Sequence, residues 1–229
     1  MTVTFRRVQP GGRLERVARG ILRRARHVPF WVGYEWGPMR MSRLRQWWVL
    51  FRHPYANIQF HNPVYLGPGF SLHIPENGTF IVGPGTEFRR NFRAEVAGSG
   101  RIVIGAGCYF TYDVILACST AIEIGDRVGL ANESAVYDGN HRYEDLSRPF
   151  LDQGYEFKPI RLEDDVQVHQ LCTIVESIGT RAVIGANSVV SRPVPAYTLA
   201  VGTPARPIKY FGPEELRPPE LEPESSPQV

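Results

Sequence analysis

From about residue 58 onward, hydrophobic positions recur every six residues. The phase is carried by Val82, Phe88, Ile104, Phe110, Leu116, Ile124, Leu130, Val136, Val168, Ile174, Ile178, Ile184 and Val190, several of them followed by Gly. This period is typical of a parallel β-helix, in which three six-residue segments form one triangular coil and the aliphatic residue points inward. A β-sandwich would instead show period-two alternation and hairpin turns. The sequence therefore predicts an all-β, parallel β-helix over residues 55–212.

The repeat is irregular in two ways. Val82 to Ile104 spans 22 residues and Ile104 to Ile124 spans 20, which predicts small loops at the corners, whereas Ile174 to Ile178 spans four, which predicts a shortened coil. The phase also breaks between Val136 and Ile160. The intervening loop, residues 137–160, is polar, aromatic and longer than most loops in compact domains. Loops of this length are usually functional or disordered.

The N-terminal residues 1–54 follow a helical pattern instead. Residues 11–27 carry apolar positions at i, i+3, i+4 and i+7 beside an Arg-rich face: Leu14, Val17, Ala18, Ile21, Leu22 and Ala25. Residues 42–53 predict a second helix that begins at Ser42 and carries Trp47, Trp48 and Phe51. Two interpretations stay open: helices that pack on the body or on another subunit, and a basic helix that lies on a membrane surface.

The charge is divided along the chain. Residues 1–54 contain twelve Arg and two acidic residues, a net of +10, and the remainder carries −7, which together make the overall +3. A basic arm on an acidic body indicates an anionic partner: nucleic acid, anionic lipid or the acidic face of a neighbouring subunit. Residues 213–229 contain five Pro and five Glu without periodicity, which predicts a disordered acidic tail.

Composition excludes several classes of protein. The three cysteines, Cys108, Cys118 and Cys172, include no CxxC pair, so neither a disulfide scaffold nor a zinc site of that type is expected. No apolar run reaches the roughly 18 residues that span a bilayer. The N-terminus lacks the cleavage pattern of a secretory signal, and a cytoplasmic protein is expected.

Three segments carry a resemblance to a known family: YDGNHRYEDLSRP in the loop, IGTRAVIGANSVVSRPVP in the late coils, and AVGTPARPIK after them. Over roughly residues 58–210 the chain resembles the hexapeptide-repeat O-acyltransferases that use acetyl-CoA, in particular the maltose/galactoside and exopolysaccharide acetyltransferases. The resemblance implies a left-handed β-helix and a homotrimer with active sites between neighbouring prisms. It also implies acetyl-CoA or another acyl-CoA as co-substrate, no permanently bound cofactor, and a sugar or glycoside acceptor.

The same resemblance indicates His141, in the loop, as the catalytic residue. A neutral imidazole can remove the acceptor's hydroxyl proton as the oxygen attacks the thioester, so we expect direct transfer without an acyl-enzyme. His27, His53, His61 and His73 have weaker claims. The resemblance also implies that Asp113 and Asn132 contact the acceptor, although both residue types favour turns. Asp138 and Glu144 are further candidates for the acceptor site, and Asp138, Glu144 or Asp145 for orienting the imidazole.

For the coenzyme, the resemblance implies a wall for the pantetheine arm and cationic groups for the phosphates. The matching residues are Ala186, Asn187, Ser188, Thr203, Pro204, Ala205, Arg206 and Lys209. Small residues at these positions suit coil corners equally well.

One segment departs from the family pattern. Where relatives read D-D/N-V-W-I-G-A, this chain reads DDVQVHQL, so Gln167 replaces a Trp and His169 replaces a corner Gly. Loss of the Trp would open room for a longer acyl chain, or it would mark an altered or lost donor site. His169 is then a candidate second imidazole of the active site.

Three functions compete on these residues. The first is an O-acyltransferase acting on a sugar, glycoside or polysaccharide precursor. The second is a non-catalytic scaffold or binding protein. The third, a zinc carbonic anhydrase on the same prism, requires two His five positions apart, a pattern the chain lacks. Neither a metal nor a nucleic-acid partner is expected. Residues 1–54 are expected to allow peripheral contact at the inner membrane face.

Overall fold

The computed structural model describes residues 37–221, apart from the side chains of residues 37–39 and 220. The helix expected over residues 11–27, and residues 222–229 of the expected acidic tail, lie outside the described residues. From Ser42 onward the chain forms one compact unit. The predicted domain boundary near residue 55 stays a prediction.

Strands form the three walls of a triangular prism, and within the walls every pairing is parallel except that of the last two strands, which is antiparallel. The first sheet contains β1 (Asn57–Phe60), β4 (Thr79–Val82), β7 (Arg101–Ile104), β10 (Ala121–Ile124) and β15 (Ile160–Leu162). The second contains β2 (Tyr65–Leu66), β5 (Glu87–Phe88), β8 (Tyr109–Phe110), β11 (Gly129–Leu130), β16 (Gln167–Val168), β18 (Val183–Ile184), β20 (Thr198–Gly202) and β21 (Ala205–Tyr210). The third contains β3 (Ser71–His73), β6 (Arg93–Val96), β9 (Ile115–Cys118), β12 (Ala135–Tyr137), β17 (Thr173–Ile174) and β19 (Val189–Val190).

The register confirms the predicted period. Val82, Ile104 and Ile124 are direct partners in adjacent coils, so the 22- and 20-residue spacings each correspond to one turn of the prism. Leu162 pairs with Ile178 and Ile178 with Val194, a spacing of 16 residues, so the coil predicted to be short is short and the next one matches it. Together these pairings confirm the parallel β-helix predicted from the period and exclude the β-sandwich.

Every inward position predicted from the period is buried. The core of the first coils is aromatic: the rings of Phe88 and Phe110 stack with centroids 4.9 Å apart, and Phe92 lies 4.4 Å from Phe88. Later coils are filled by Ile, Leu and Val. Rings and aliphatic side chains alike fill the interior of the stacked coils, which is the main source of stability in such a fold.

The corner between the second and third sheets, which we call the second corner, repeats one backbone conformation from coil to coil. Its positive-φ residues are Gly69, Asn91, Asp113, Glu133, Leu171 and Asn187. From Asn91 onward, the backbone N–H groups of these residues donate to carbonyls of the preceding coil, as from Asn91 to Pro68 O (2.9 Å) and from Leu171 to Asn132 O (2.8 Å). Gly, Asn and Asp accept this conformation at little cost, whereas Glu133, at φ 58°, and Leu171, at φ 60°, do not.

Helix α1 (Gly37–Arg52) precedes the first coil. The prediction that this helix begins at Ser42 is wrong, because Ser42 lies inside it. The Ser42 hydroxyl donates to Val64 O (3.1 Å) and accepts from Leu66 N–H (2.8 Å), so it serves a tertiary contact rather than a helix cap. No helix among the described residues is long and apolar enough to cross a bilayer.

Beyond the prism, two single-turn 3-10 helices occupy residues Glu214–Leu216 and Pro219–Leu221, within the segment predicted as a tail. Arg217 pairs with Glu214, with Nε and Oε1 2.7 Å apart. The Arg217 guanidinium also lies 5.0 Å from the ring centroid of Tyr210.

The second corner generates a stability prediction. Leu171→Asn should raise the free energy of unfolding by about 0.5–1 kcal/mol, because Asn tolerates positive φ where a γ-branched side chain is strained. Thermal melting should show a rise of about 2 °C for a chain of this size. The converse change in the same column, Asn91→Leu, should lower the melting temperature. An unchanged or lower melting temperature for Leu171→Asn would contradict the account of this corner.

Candidate active site

The loop that interrupts the repeat forms an antiparallel hairpin. Strand β13 (Gly139–His141) pairs with β14 (Tyr155–Phe157), and a 3-10 turn at Phe150–Gln153 lies between them. His141 is opposite Tyr155, with ring centroids 4.3 Å apart, and lies 5.1 Å from the ring of Phe150. The half-buried imidazole therefore packs against two aromatic rings, which limit its rotation.

A buried carboxylate attaches the first end of the hairpin to the prism. Asp138 is only 4% exposed. It accepts hydrogen bonds from Ser119 N–H (2.8 Å), Thr120 N–H (2.6 Å) and the Thr120 hydroxyl (2.9 Å). These hydrogen bonds attach the start of the hairpin to the segment at Ser119 and Thr120.

An ion pair attaches the second end. The Lys158 N–H donates to Asp138 O (2.8 Å), and the Lys158 ammonium binds the carboxylate of Glu176, whose side chain is 11% exposed. Burial alone would raise the pKa of Glu176, but Lys158 and the N–H of Ser177 outweigh it and lower that pKa. Sequence reasoning missed both residues. Two signals were available in the sequence: Lys158, one of only two lysines in the chain, stands at the end of the loop, and Glu176 is the single acid between Ile174 and Ile178.

None of the three acidic candidates for orienting His141 is hydrogen-bonded to its ring among the described residues. Asp145 accepts from the N–H (3.0 Å) and the hydroxyl (2.6 Å) of Ser147, which lower its pKa, and Glu144 is exposed. In the part of the chain that the structure describes, no hydrogen bond joins the His141 ring to a carboxylate. The aromatic rings, rather than an acid, are the groups in contact with the imidazole.

Asp113 and Asn132 lie at the second corner, where their side chains make corner contacts. Asp113, at φ 60°, accepts from the side-chain amide of Asn91 (3.0 Å). The Asn132 side chain accepts from Tyr112 N–H (3.3 Å). The turn role that the sequence left open is therefore present in the structure, and contact with an acceptor stays a prediction.

The coenzyme candidates lie at the same corner, except Lys209, which pairs with Leu199 toward the other end of β20. The Thr203 hydroxyl donates to Asn187 O (3.2 Å), and Gly202 N–H donates to the Ser188 hydroxyl (3.0 Å). Ala186 and Asn187 are exposed, as are Thr203, Pro204, Arg206 and Lys209. Ser188 and Ala205 are buried, so they shape the wall from inside rather than present a surface.

The two residues that depart from the family pattern lie in the second sheet and at its corner. The Gln167 amide donates to Arg127 O (3.2 Å), across the coil wall beside Gly129. The backbone N–H of His169 donates to Ile184 O (2.9 Å), and its carbonyl accepts from the Ser134 hydroxyl (2.9 Å). The register aligns His169 with Ala131 in the previous coil and Gly185 in the next, so its exposed ring lies between the predicted acceptor and coenzyme residues.

The prism thus separates two groups of candidates. The second corner collects Asp113, Asn132, His169, Ala186, Asn187 and Thr203, whereas the hairpin with His141 leaves from the third corner, between the third and first sheets. From Glu133 at the second corner to Asp138 at the third, the chain runs across the third sheet for five residues. At roughly 3.3 Å per extended residue this distance is about 16 Å.

The three cysteines are poor nucleophiles. All are buried, and burial raises the pKa of Cys108 to about 11 and that of Cys118 to about 12. Burial also raises the pKa of Cys172. A thiolate is therefore scarce at neutral pH at each position. Among the described residues, no group of His, Cys, Asp and Glu is arranged to hold a metal ion.

Comparison with known sequences finds relatives named as acetyltransferases. A Mycobacterium tuberculosis protein named as a probable acetyltransferase is 30% identical over 173 residues, which cover 72% of this chain and 57% of that protein. A Schizosaccharomyces pombe protein, likewise provisionally named an acetyltransferase, is 32% identical over 108 residues, covering 46% of this chain and 51% of that protein. The chain thus spans little more than half the length of the curated relatives it matches. No protein-family model matches it.

Solved structures share the fold. A hexapeptide-repeat-containing acetyltransferase of Vibrio cholerae, in complex with acetyl coenzyme A, superimposes with a TM-score of 0.51 at 23% identity, covering 74% of this chain and 79% of that one. The N-acyltransferase AntD of Bacillus cereus, in complex with dTDP and 3-hydroxybutyryl-CoA, gives a TM-score of 0.56 at 18% identity, covering 73% and 88%. These structures confirm the left-handed β-helix of hexapeptide repeats that the resemblance implied.

The hairpin root generates a pH prediction. Because the pKa of Glu176 is lowered, its carboxylate stabilises the folded chain above the ordinary Glu pKa, and this contribution is lost as the pH falls through the lowered value. Glu176→Gln should therefore reduce the free energy of unfolding at pH 7 by about 1 kcal/mol, a modest value because Lys158 is exposed to screening solvent.

Denaturant unfolding at pH 7 and at about pH 3.5 measures this effect, and the variant should differ less from wild type at the lower pH. Glu123→Gln, which removes an exposed ion pair with Arg101, is the matched control and should change little. Equal losses for Glu176→Gln at both pH values would exclude the ion pair as the cause.

Proposed function

We propose that this chain is an acyl-CoA-dependent O-acyltransferase, most simply an O-acetyltransferase, acting on a hydroxyl of a sugar, glycoside or polysaccharide precursor. The observation that carries the proposal is the hairpin: it interrupts an otherwise continuous coil stack, is fixed at both ends, and holds His141 against aromatic rings. The acetyltransferase names of the relatives and the acyl-CoA complexes of the structural neighbours support the same chemistry.

In the proposed reaction, the acceptor oxygen attacks the thioester carbonyl while His141 takes the hydroxyl proton. The new C–O bond forms, the C–S bond breaks, and the proton passes from the imidazole to the departing thiolate, so that CoA leaves as the thiol. The buried cysteines with raised pKa support direct transfer over an acyl-enzyme. A backbone N–H would stabilise the oxyanion.

We place the coenzyme along the second corner. The exposed Ala186 and Asn187 would border the pantetheine arm, and the exposed Arg206 and Lys209 on β21 would bind the phosphates. The hydrogen bonds of Ser188 and Thr203 that tie the late coils to the β20–β21 turn support a rigid wall at this position.

We also propose a homotrimer whose site is shared between neighbouring chains. The support is the separation of about 16 Å between the second corner and the root of the hairpin, which keeps His141 of one chain away from its own coenzyme wall. A neighbouring prism would bring its hairpin to that wall. The acceptor would then lie between His141 of one chain and Asp113, Asn132 and His169 of the next.

An acceptor built on a sugar is supported by one structural neighbour. A mutant of AntD has been solved in complex with dTDP-4-amino-4,6-dideoxyglucose and coenzyme A, so a protein of this fold binds a sugar nucleotide as well as the coenzyme. For the present chain we propose a hydroxyl rather than an amine as the accepting group. The localisation that we propose is cytoplasmic, with peripheral contact at the inner membrane face through residues 1–54.

Two alternative functions follow from the presence of Gln167 where relatives carry a Trp. A longer acyl chain is favoured if the amide of Gln167, held at Arg127 O, leaves room where relatives carry a Trp. A panel of acetyl-, butyryl- and octanoyl-CoA distinguishes this case from an acetyltransferase. A non-catalytic scaffold is favoured if the wild-type chain turns over none of them with any glycoside.

The assignment of His141 as general base generates a prediction for catalysis. His141→Ala should lower kcat/KM for thiol release from acetyl-CoA with a glycoside acceptor by about 10²- to 10⁴-fold, the usual contribution of a positioned general base. The matched control is His73→Ala, an exposed histidine on β3, which should retain activity. Full activity in His141→Ala would remove this residue from the mechanism.

The shared site generates the second prediction. His141→Ala and Asn132→Ala should each be impaired alone, but trimers assembled from a mixture of both, after reversible dissociation, should regain part of the activity, because one interface in the mixed trimer carries both intact residues. Each variant treated alone in the same way is the control. Recovery that never exceeds the controls would place the complete site within a single chain.

A further inference from the structure

Helix α1 binds the prism through a polar face. Ser42 and Gln46 are buried, and the Gln46 amide donates to Val64 O (2.7 Å) and Asn62 Oδ1 (3.2 Å). The Arg45 guanidinium donates to Leu66 O (2.7 Å). From Ser42 to Arg52, Val49 is the single apolar side chain of the helix that is buried. Hydrogen bonds, with little apolar burial, therefore fix the orientation of α1 on the first coil.

The opposite face of α1 is apolar and exposed. Leu44, Trp47, Trp48 and Phe51 follow the i, i+3, i+4, i+7 spacing of one helix face. Trp47 is 61% exposed, Trp48 52% and Phe51 64%, and the Phe51 ring stacks with both indoles at 5.5 and 5.8 Å. A surface helix normally buries this stripe and exposes its polar face, so α1 is inverted. We call Leu44, Trp47, Trp48 and Phe51 the aromatic face.

The charge around the aromatic face is exclusively positive over a long stretch of chain. Residues 36–75 contain four Arg and neither Asp nor Glu. Arg43 and Arg52 are exposed on the same helix. Residues 1–35, which lie outside the described residues, contain eight further Arg against two Glu. The rest of the chain, by contrast, is net acidic. The surface at α1 is thus apolar, aromatic and basic together.

We propose that the aromatic face of α1 binds an anionic lipid bilayer, with the helix axis in the membrane plane. Indole rings favour the headgroup level of a bilayer, and arginines beside them bind lipid phosphates. This inference sharpens the peripheral contact proposed above by assigning it to named side chains. It does not depend on the transferase activity, so each proposal can fail without the other.

Charge favours a lipid surface over a second copy of the helix. In a two-fold contact, the aromatic face would meet its own image, and the basic residues of both copies would be brought together without an acid from either helix. An anionic bilayer offers hydrocarbon for the rings and phosphates for the arginines at the same depth. A neighbouring subunit that covers the face with acidic residues is the competing occupant, and the experiment distinguishes it.

The experiment is flotation of the full chain with lipid vesicles. We expect the wild-type chain to float with vesicles of phosphatidylcholine containing about a quarter phosphatidylglycerol and to remain below pure phosphatidylcholine vesicles. Raising salt from about 50 mM to about 500 mM should weaken the association, because the shorter Debye length screens the arginines. Trp47→Ser with Trp48→Ser should lower the partition coefficient by about tenfold or more.

The matched control removes two exposed apolar side chains elsewhere, as Phe211→Ser with Leu216→Ser, and should float like wild type. Far-ultraviolet circular dichroism and thermal melting establish that the variants remain folded. The proposal is overturned if wild type ignores anionic vesicles or if the double Trp variant floats as well as wild type. It is also overturned if light scattering shows that the double Trp variant dissociates, which would make the face a subunit contact.

Discussion

Backbone hydrogen bonding between successive coils is the constraint on which the whole molecule depends. Up to β20, each wall strand pairs in parallel with the wall strands of the neighbouring coils, so the position of a residue along the prism axis is set by its partner one coil away. The inward side chain must fill the interior, and the corner must turn in a positive-φ conformation at the same place in each coil. Added residues are tolerated only where the chain can leave a corner and rejoin in register. The hairpin satisfies this condition, since Ile160 resumes pairing with Ile122 directly after it.

This constraint explains where a prism built mainly of aliphatic residues can carry the residues of a candidate active site. The walls themselves carry aliphatic residues inward and a changing set of polar residues outward, so reactive groups accumulate at corners and on insertions. One corner holds the candidate acceptor and coenzyme residues, and another projects the imidazole. The buried carboxylates of Asp138 and Glu176 attach the two ends of the hairpin to the prism, through Thr120 and Lys158 respectively. The position of His141 therefore depends on the coil stack.

The sequence predicted those features of the structure that recur in every coil. Period six predicted the coils, the buried positions and the shortened coil because every turn of the prism imposes the same demand. Asp138 was predicted as a site residue, yet its carboxylate binds Ser119 and Thr120, a contact 18–19 residues away that no local pattern reveals. The Lys158–Glu176 pair was missed for the same reason. Ser42 resembled a helix cap, but its hydroxyl is engaged by the first coil, and the inverted polarity of α1 becomes visible only once that contact is known.

The central claim is that the coil stack forms a functional acyl-CoA site at the second corner. Isothermal titration of acetyl-CoA into the wild-type chain and into His141→Ala tests this claim most directly. The account predicts saturable binding of one acetyl-CoA per chain, with affinity unchanged in His141→Ala, because the imidazole acts on the acceptor rather than on the coenzyme. Absence of binding by the wild-type chain to acetyl-CoA and to longer acyl-CoAs would contradict the account and leave the prism as a scaffold.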